Sequence, residues 1–524
     1  MTERRRGYRW SKLFICLLAL AFVSANAVSV TFAVESDQQQ TTVDNPKSLF
    51  KQARKLDRKS RLDEAEAVYR RILEIDPHFT DAKLALAYLL AKRHSVREAY
   101  GIAFEVAKSE PTNARAYAVL GATLLTAGNF KDARLCFMKA LSLNRKDDLA
   151  WAALGMLDFY ENRIDDSLAN LEQAAYREPD EPDYYFALGQ VSARAEKYKE
   201  SADAYRRFLS IAGEMDSDRR SRIKGLIDFL TFLGQRAALF TTEGADQTTV
   251  PFELIGNRPV IKVRINDSDE VLKFVLDTGS GISVISDKTA RKLKIHEITK
   301  GGFAKGIGGD GRFQIVYGFV REFGIGDVKI RNVPVYIRQF HTTSESIDGY
   351  IGLSLISKFL TTIDYGSLSF DLSKKDSNTA PTVTSDLSLP LRLTSSGFLS
   401  GEVKLEGIDN TFNFIVDTGA SVSVISAEIA SLNEVSRFLR TEKMRVIGSA
   451  GVTEDVPSFT LPKVTFGNNS CESVAAVALD LDMINEASGF QQAGILGGNF
   501  LRNYRLTFDF RNSKVIFVPI AQTK

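Results

Sequence analysis

The run Phe274-Val275-Leu276-Asp277-Thr278-Gly279-Ser280-Gly281-Ile282-Ser283-Val284-Ile285-Ser286 returns 140 residues later as Phe414-Ile415-Val416-Asp417-Thr418-Gly419-Ala420-Ser421-Val422-Ser423-Val424-Ile425-Ser426, with eight of thirteen positions identical. Each copy is an apolar strand pattern running into Asp-Thr-Gly, where glycine allows a tight turn and a close backbone approach. Such a turn leaves a carboxylate at a strand end. The copies also finish alike: Asp348-Gly349-Tyr350-Ile351-Gly352-Leu353 leads to Thr361-Thr362-Ile363-Asp364-Tyr365, and Gly494-Ile495-Leu496-Gly497-Gly498-Asn499-Phe500-Leu501 leads to Leu506-Thr507-Phe508-Asp509-Phe510. The step from Gly352 to Asp364 equals that from Gly497 to Asp509. The second half of the chain is one domain written twice.

Short alternating runs such as Val260-Ile261-Lys262-Val263-Arg264-Ile265 read as strands. A polar stretch from Thr241 to Thr249 precedes them as a linker, left open to self-processing, and a second break from Ser373 to Asp386 separates the copies. Lobes are expected at 250–373 and 386–524.

These motifs resemble the aspartic peptidases, both the two-lobed pepsin-like kind and the smaller retropepsin-like kind that works as a homodimer, over roughly Val250 to Pro519. The resemblance implies an all-β, two-lobed enzyme in which Asp277 and Asp417 hold the attacking water. Two carboxylates that close cannot both ionise, so they share a proton and titrate as a pair. Thr278, Gly279, Thr418 and Gly419 would orient them, while Ile351-Gly352 and Leu496-Gly497 would thread beside the two turns. Gly306-Ile307-Gly308-Gly309-Asp310-Gly311 and Ile447-Gly448-Ser449-Ala450-Gly451 occupy the interval of the mobile flap, with Gly308, Gly309, Gly448 and Gly451 as its candidate glycines. An ordinary hairpin turn is the alternative for them. Neither segment offers the flap tyrosine of the pepsin-like kind; Tyr317 is nearest and stays unassigned.

The resemblance implies a peptide or protein substrate and no cofactor or metal. Two further readings stand beside it: copies that each pair with a twin on another chain, and a peptide-binding or scaffolding protein that no longer cuts. Covalent linkage raises the effective concentration of one half for the other, which favours pairing within the chain. Two intact Asp-Thr-Gly turns favour catalysis, since a non-cutting descendant has no chemical need for two buried carboxyls.

The first half is periodic. Pro77, Pro111 and Pro179 share one phase of a 34-residue period, as do Ala65, Ala99 and Ala133, then Tyr69, Phe137 and Tyr205, and Gly121, Gly155 and Gly189. Small residues let paired helices approach, a large aromatic fills the groove, and proline ends each unit. The pattern resembles the tetratricopeptide repeat, with five units at 46–79, 80–113, 114–147, 148–181 and 182–215 and a capping segment near Arg222 to Leu239. The expected fold class is multidomain: an N-terminal all-α tetratricopeptide solenoid over 46–240, then the all-β peptidase. Such arrays imply a concave groove for a protein partner or for substrate docking; a rigid spacer is the alternative.

Residues 1–27 have the layout of a secretory signal, with Arg4, Arg5, Arg6, Arg9 and Lys12 before an apolar stretch and then Ala25-Asn26-Ala27. An uncleaved anchor is the alternative, because Leu13 to Ala33 carries no charge. Either way the remainder is expected to be exported, periplasmic or extracellular, with membrane attachment only through this segment. With 67 basic against 65 acidic residues, no nucleic-acid partner is indicated. Cys136 and Cys471 lie in different halves and predict no disulfide framework. His78, His94, His296 and His341 are scattered, without zinc spacing.

Overall fold

The computed structural model describes residues 45–213, 217–236, 238–309, 311–341, 346–374 and 388–520. The expected signal or anchor and most of the second break lie outside them. Among the described residues no helix is long and apolar enough to cross a membrane.

Among the described residues, eleven helices run from Pro46 to Gly234 before the first strand. The first helices of the five pairs start at Pro46, Thr80, Ala114, Asp148 and Pro182, in step with the 34-residue period. The shared phase has a packing cause. A Cβ on Gly121 would sit 2.5 Å from the Phe137 ring, one on Gly189 2.8 Å from Tyr205, and one on Gly155 2.8 Å from Leu171. Each glycine is the seat into which the large residue of its partner helix presses.

The five pairs curl until the first meets the last. Arg58 pairs with Glu178 at 3.0 Å, and Lys92 reaches both Asp57 at 2.8 Å and Asp183 at 3.5 Å. A Cβ on Gly213 would lie 2.4 Å from the Lys59 Cα. The first helices of all five repeats converge on a cavity of about 40 Å³, where Tyr184 donates to Asp148 at 2.5 Å and Arg115 pairs with Asp147 and Asp148. The inner face expected to offer a concave groove is therefore crossed by the protein's own ion pairs.

Both lobes have the same strand order, interrupted by short helices such as Asp287–Lys292 and Ala427–Ser431. Leu272–Leu276 runs parallel to Gly349–Ile351 and antiparallel to Arg258–Ile265. Thr411–Val416 runs parallel to Gly494–Leu496 and antiparallel to Leu399–Leu405. A third, six-stranded sheet joins the lobes. At its centre Phe359–Asp364 pairs with Tyr504–Asp509, with Thr362 and Thr507 hydroxyls 3.0 Å apart.

The stretch read as a linker is instead paired. Thr241–Gly244 adds antiparallel to Val328–Arg338, and Gln247–Pro251 edges the central sheet beside Ser369–Lys374. Its threonines are polar but β-branched, and a sheet edge accepts them readily. Self-processing there would have to cut a hydrogen-bonded strand.

Repeats and lobes share surfaces. Phe490 of the second lobe is fully buried in the helical core, its ring 4.9 Å from Phe130 and 5.0 Å from Tyr160. Around it Gln491 N–H donates to Thr126 O at 2.8 Å and Arg194 to Thr394 O at 2.7 Å. Truncating an aromatic so enclosed costs about 3–5 kcal/mol. Phe490→Ala is expected to lower the denaturant midpoint accordingly; an unchanged midpoint would show that the junction adds nothing to stability.

Candidate active site

The two Asp-Thr-Gly turns meet through their threonines. Thr278 N–H donates to Thr418 Oγ1 and Thr418 N–H to Thr278 Oγ1, both at 3.1 Å. Each hydroxyl then donates across to the strand of the other lobe, Thr278 to Val416 O at 2.6 Å and Thr418 to Leu276 O at 2.7 Å. Both threonines are fully buried, so neither turn could satisfy these groups alone.

This reciprocity brings Asp277 and Asp417 face to face. A Cβ on Gly279 would lie 2.3 Å from Asp417 Cγ, and one on Gly419 2.6 Å from Asp277 Oδ1. Only glycine leaves room for the opposite carboxyl. Each amide also donates to the carboxylate of its own turn, Gly279 to Asp277 at 3.0 Å and Gly419 to Asp417 at 2.7 Å. The threading strands hold the turns from behind: Asp277 N–H donates to Ile351 O at 3.0 Å and Asp417 N–H to Leu496 O at 2.9 Å. Behind these, Ser283 and Ser423 accept from Gly352 and Gly497 amides at 3.1 Å each, contacts the serine repetition alone did not reveal.

Burial pushes the Asp277 carboxyl well above the ordinary carboxylate range, and the neighbouring Asp417 charge adds to this. Asp417 is also raised by burial, against hydrogen bonds from Asp277 and the surrounding amides. Both aspartates are half-buried.

The candidate flap glycines of the two lobes meet one another. Ala450 N–H donates to Ile307 O at 2.8 Å and Gly309 N–H to Val452 O at 3.2 Å, which joins the hairpin of one lobe to that of the other. A Cβ on Gly308 would strike Gly451 O at 2.2 Å, and one on Gly448 would strike Ile307 O at the same distance. Gly308 and Gly451 also hold φ of +90° and +146°, where a side chain is strained.

Tyr317 lies elsewhere. It is buried and stacks on Phe229 at 4.5 Å, within the helix Ser217–Gly234 expected as a cap. That helix packs on the tenth helix and also on the first lobe's hairpin: Arg222 donates to Phe303 O at 2.9 Å, Asp218 pairs with Arg312, and Gly225 fits against Gly301. Tyr317 thus serves a helix contact, which a single sequence gives no signal to foresee.

The fold and paired turns define the aspartic-protease class. The aspartyl protease family model matches residues 261–355 and 401–500, and tetratricopeptide repeat models match 58–122, 114–147 and 152–216. Two stretches of the chain are thus aspartyl-protease-like, and the N-terminal part carries tetratricopeptide repeats. No curated protein matches it. Similar solved structures include a thermophilic TPR protein of Thermus thermophilus, 21% identical over 35% of this chain and 99% of that one with a TM-score of 0.30. PilF of Pseudomonas aeruginosa is 17% identical over 36% and 85%, with a TM-score of 0.27. YrrB, a TPR protein with an unusual peptide-binding site, is 20% identical over 32% and 88%, with a TM-score of 0.21.

The raised carboxyls carry a stability signature. A native pKa above the unfolded value of about 3.9 means that the folded protein holds a proton the unfolded chain has released. The contribution is full below that pH and is lost as pH rises through the native value. Asp277→Asn is therefore expected to melt higher than wild type at neutral pH, with the gap closing as pH falls toward about 4. A pH-independent gap in thermal unfolding would contradict this.

Proposed function

We propose that this protein is an aspartic endopeptidase with one active site per chain. The reading is carried by the reciprocal threonine bonds that set Asp277 and Asp417 face to face within a single molecule. One carboxyl takes a proton from a water between them while the other donates to the scissile carbonyl, and no acyl-enzyme forms. The joined hairpin tips cover the cleft and exclude bulk solvent during the step. The central sheet, formed by the ends of both lobes, supports pairing within the chain over pairing between chains.

In this reading the protein is exported to a periplasmic or extracellular site, tethered there if the N-terminal segment is not removed. The repeats hold the first hairpin, and because ion pairs cross their inner face, partner docking falls to the outer seam. There a cleft of about 550 Å³ is lined by Lys51, Arg54, Lys55, Arg58 and Lys59, with Asp180 the one carboxylate among the described residues that line it. That charge suits an acidic segment of a protein partner.

The test is a peptide-library digest across pH. Wild type is expected to give a bell-shaped profile, and Asp277→Asn and Asp417→Asn each to lose about 10²- to 10⁴-fold in kcat. Mixing the two variants is expected to restore nothing; strong rescue would show that sites form between chains, and undiminished activity of either variant would overturn the mechanism.

A further inference from the structure

The duplication makes the two halves of the cleft directly comparable, because the strands that line it pair in the same register. In the first lobe Val275 pairs with Tyr350, Tyr350 with Val284, Val284 with Tyr336, and Ser286 with Arg338. In the second, Ile415 pairs with Ile495, Ile495 with Val424, Val424 with Val477, and Ser426 with Leu479. Paired residues on neighbouring strands share a sheet face, and Val275 and Ile415 each precede a dyad aspartate by two positions, so both sets lie on the face that carries the carboxyls. Arg338 and Leu479 are thus the same position in the two halves.

Their surroundings differ in kind. Leu479 belongs to an aliphatic cluster with Ile415, Val424, Val477 and Ile495, against which Ile307 of the first hairpin packs. Arg338 has aromatic neighbours. Its guanidinium lies 5.2 Å from the ring of Phe313, on the hairpin strand next to the flap tip, and 5.7 Å from Phe340, which packs edge-on against Tyr350. The Nε is buried without a hydrogen-bond partner, and among the described residues the side chain forms no ion pair. Burial lowers its affinity for a proton, and Asp277 is near enough for each charge to be felt by the other.

Arg338 is half-buried, and its Nε, buried without a hydrogen-bond partner, is costly unless something completes the guanidinium. Asp277 does not, since its oxygens bond to Asp417 and to the Gly279 amide. We infer that Arg338 is a specificity determinant that binds an acidic side chain of the substrate on one side of the scissile bond, while the Leu479 half takes an aliphatic one. A carboxylate there would meet planar, bidentate donors beside two rings, a geometry that a neutral amide does not match. The inference deepens the peptidase reading and rests on it.

The probe is a set of peptides paired Glu against Gln, one position at a time, with aliphatic residues elsewhere. Wild type is expected to prefer Glu at one position in kcat/KM, and Arg338→Gln to reduce that Glu:Gln ratio on the order of 30-fold or more, the size seen on truncating a buried charge partner. Arg338→Lys keeps the charge, retains part of the ratio and guards against misfolding as the cause. Equal loss on both peptides, with a shifted pH profile, would mean that Arg338 only tunes the dyad and would overturn the assignment. Binding of the same peptides to Asp417→Asn separates the two claims. If wild type cuts nothing but Arg338→Gln in that background abolishes Glu-over-Gln binding, the peptidase reading falls and Arg338 stands. Equal binding of Glu and Gln peptides overturns Arg338.

Discussion

Neither Asp-Thr-Gly turn is complete without the other. The amide and hydroxyl of Thr278 are satisfied only by Thr418 and Val416, and those of Thr418 only by Thr278 and Leu276. An unsatisfied buried group costs about 1–3 kcal/mol, so four such bonds at one point hold the lobes in a single relation. Everything chemical about the site follows: the carboxyls are forced together, glycine is required opposite each of them, and their proton affinity rises because solvent is excluded.

Around this centre the duplicated halves have been put to unequal use. The first hairpin is backed by the helix Ser217–Gly234 through Phe229, Arg222 and Gly225, whereas the outer strand of the second, Leu439–Ile447, is exposed along nearly its whole length. The repeats are therefore part of the peptidase-like body and not a separate module on a tether. Phe490 makes the same point from the second lobe, since it completes a core built mostly by repeat helices. The inner ring, held by Lys92, Arg58 and Arg115 with their carboxylates, suits this supporting role better than an open peptide groove.

Local patterning made much of this legible in the sequence. A 34-residue phase of glycine against a large partner can only be satisfied by stacked helix pairs, and a repeated apolar strand ending in Asp-Thr-Gly specifies two equivalent carboxylates. The helix starts and the meeting of Asp277 with Asp417 accord with those patterns because both depend on residues close in sequence or repeated at fixed spacing. The threonine-rich stretch at 241–249 misled because polarity and β-branching point in opposite directions there, and strand partners some 80 to 120 residues away decide between them.

What the sequence by itself determined is the set of parts: a repeat array, two copies of one lobe, two carboxyls and two glycine-rich tips. Only the tertiary structure decided how those parts bear on one another. It set the repeat array's last helix on one hairpin and not on the other, ran ion pairs across the array's inner face, joined the tips, and placed Arg338 opposite Leu479 at matching positions. These outcomes depend on contacts between segments far apart in the chain, where no local period or motif records which surface will meet which.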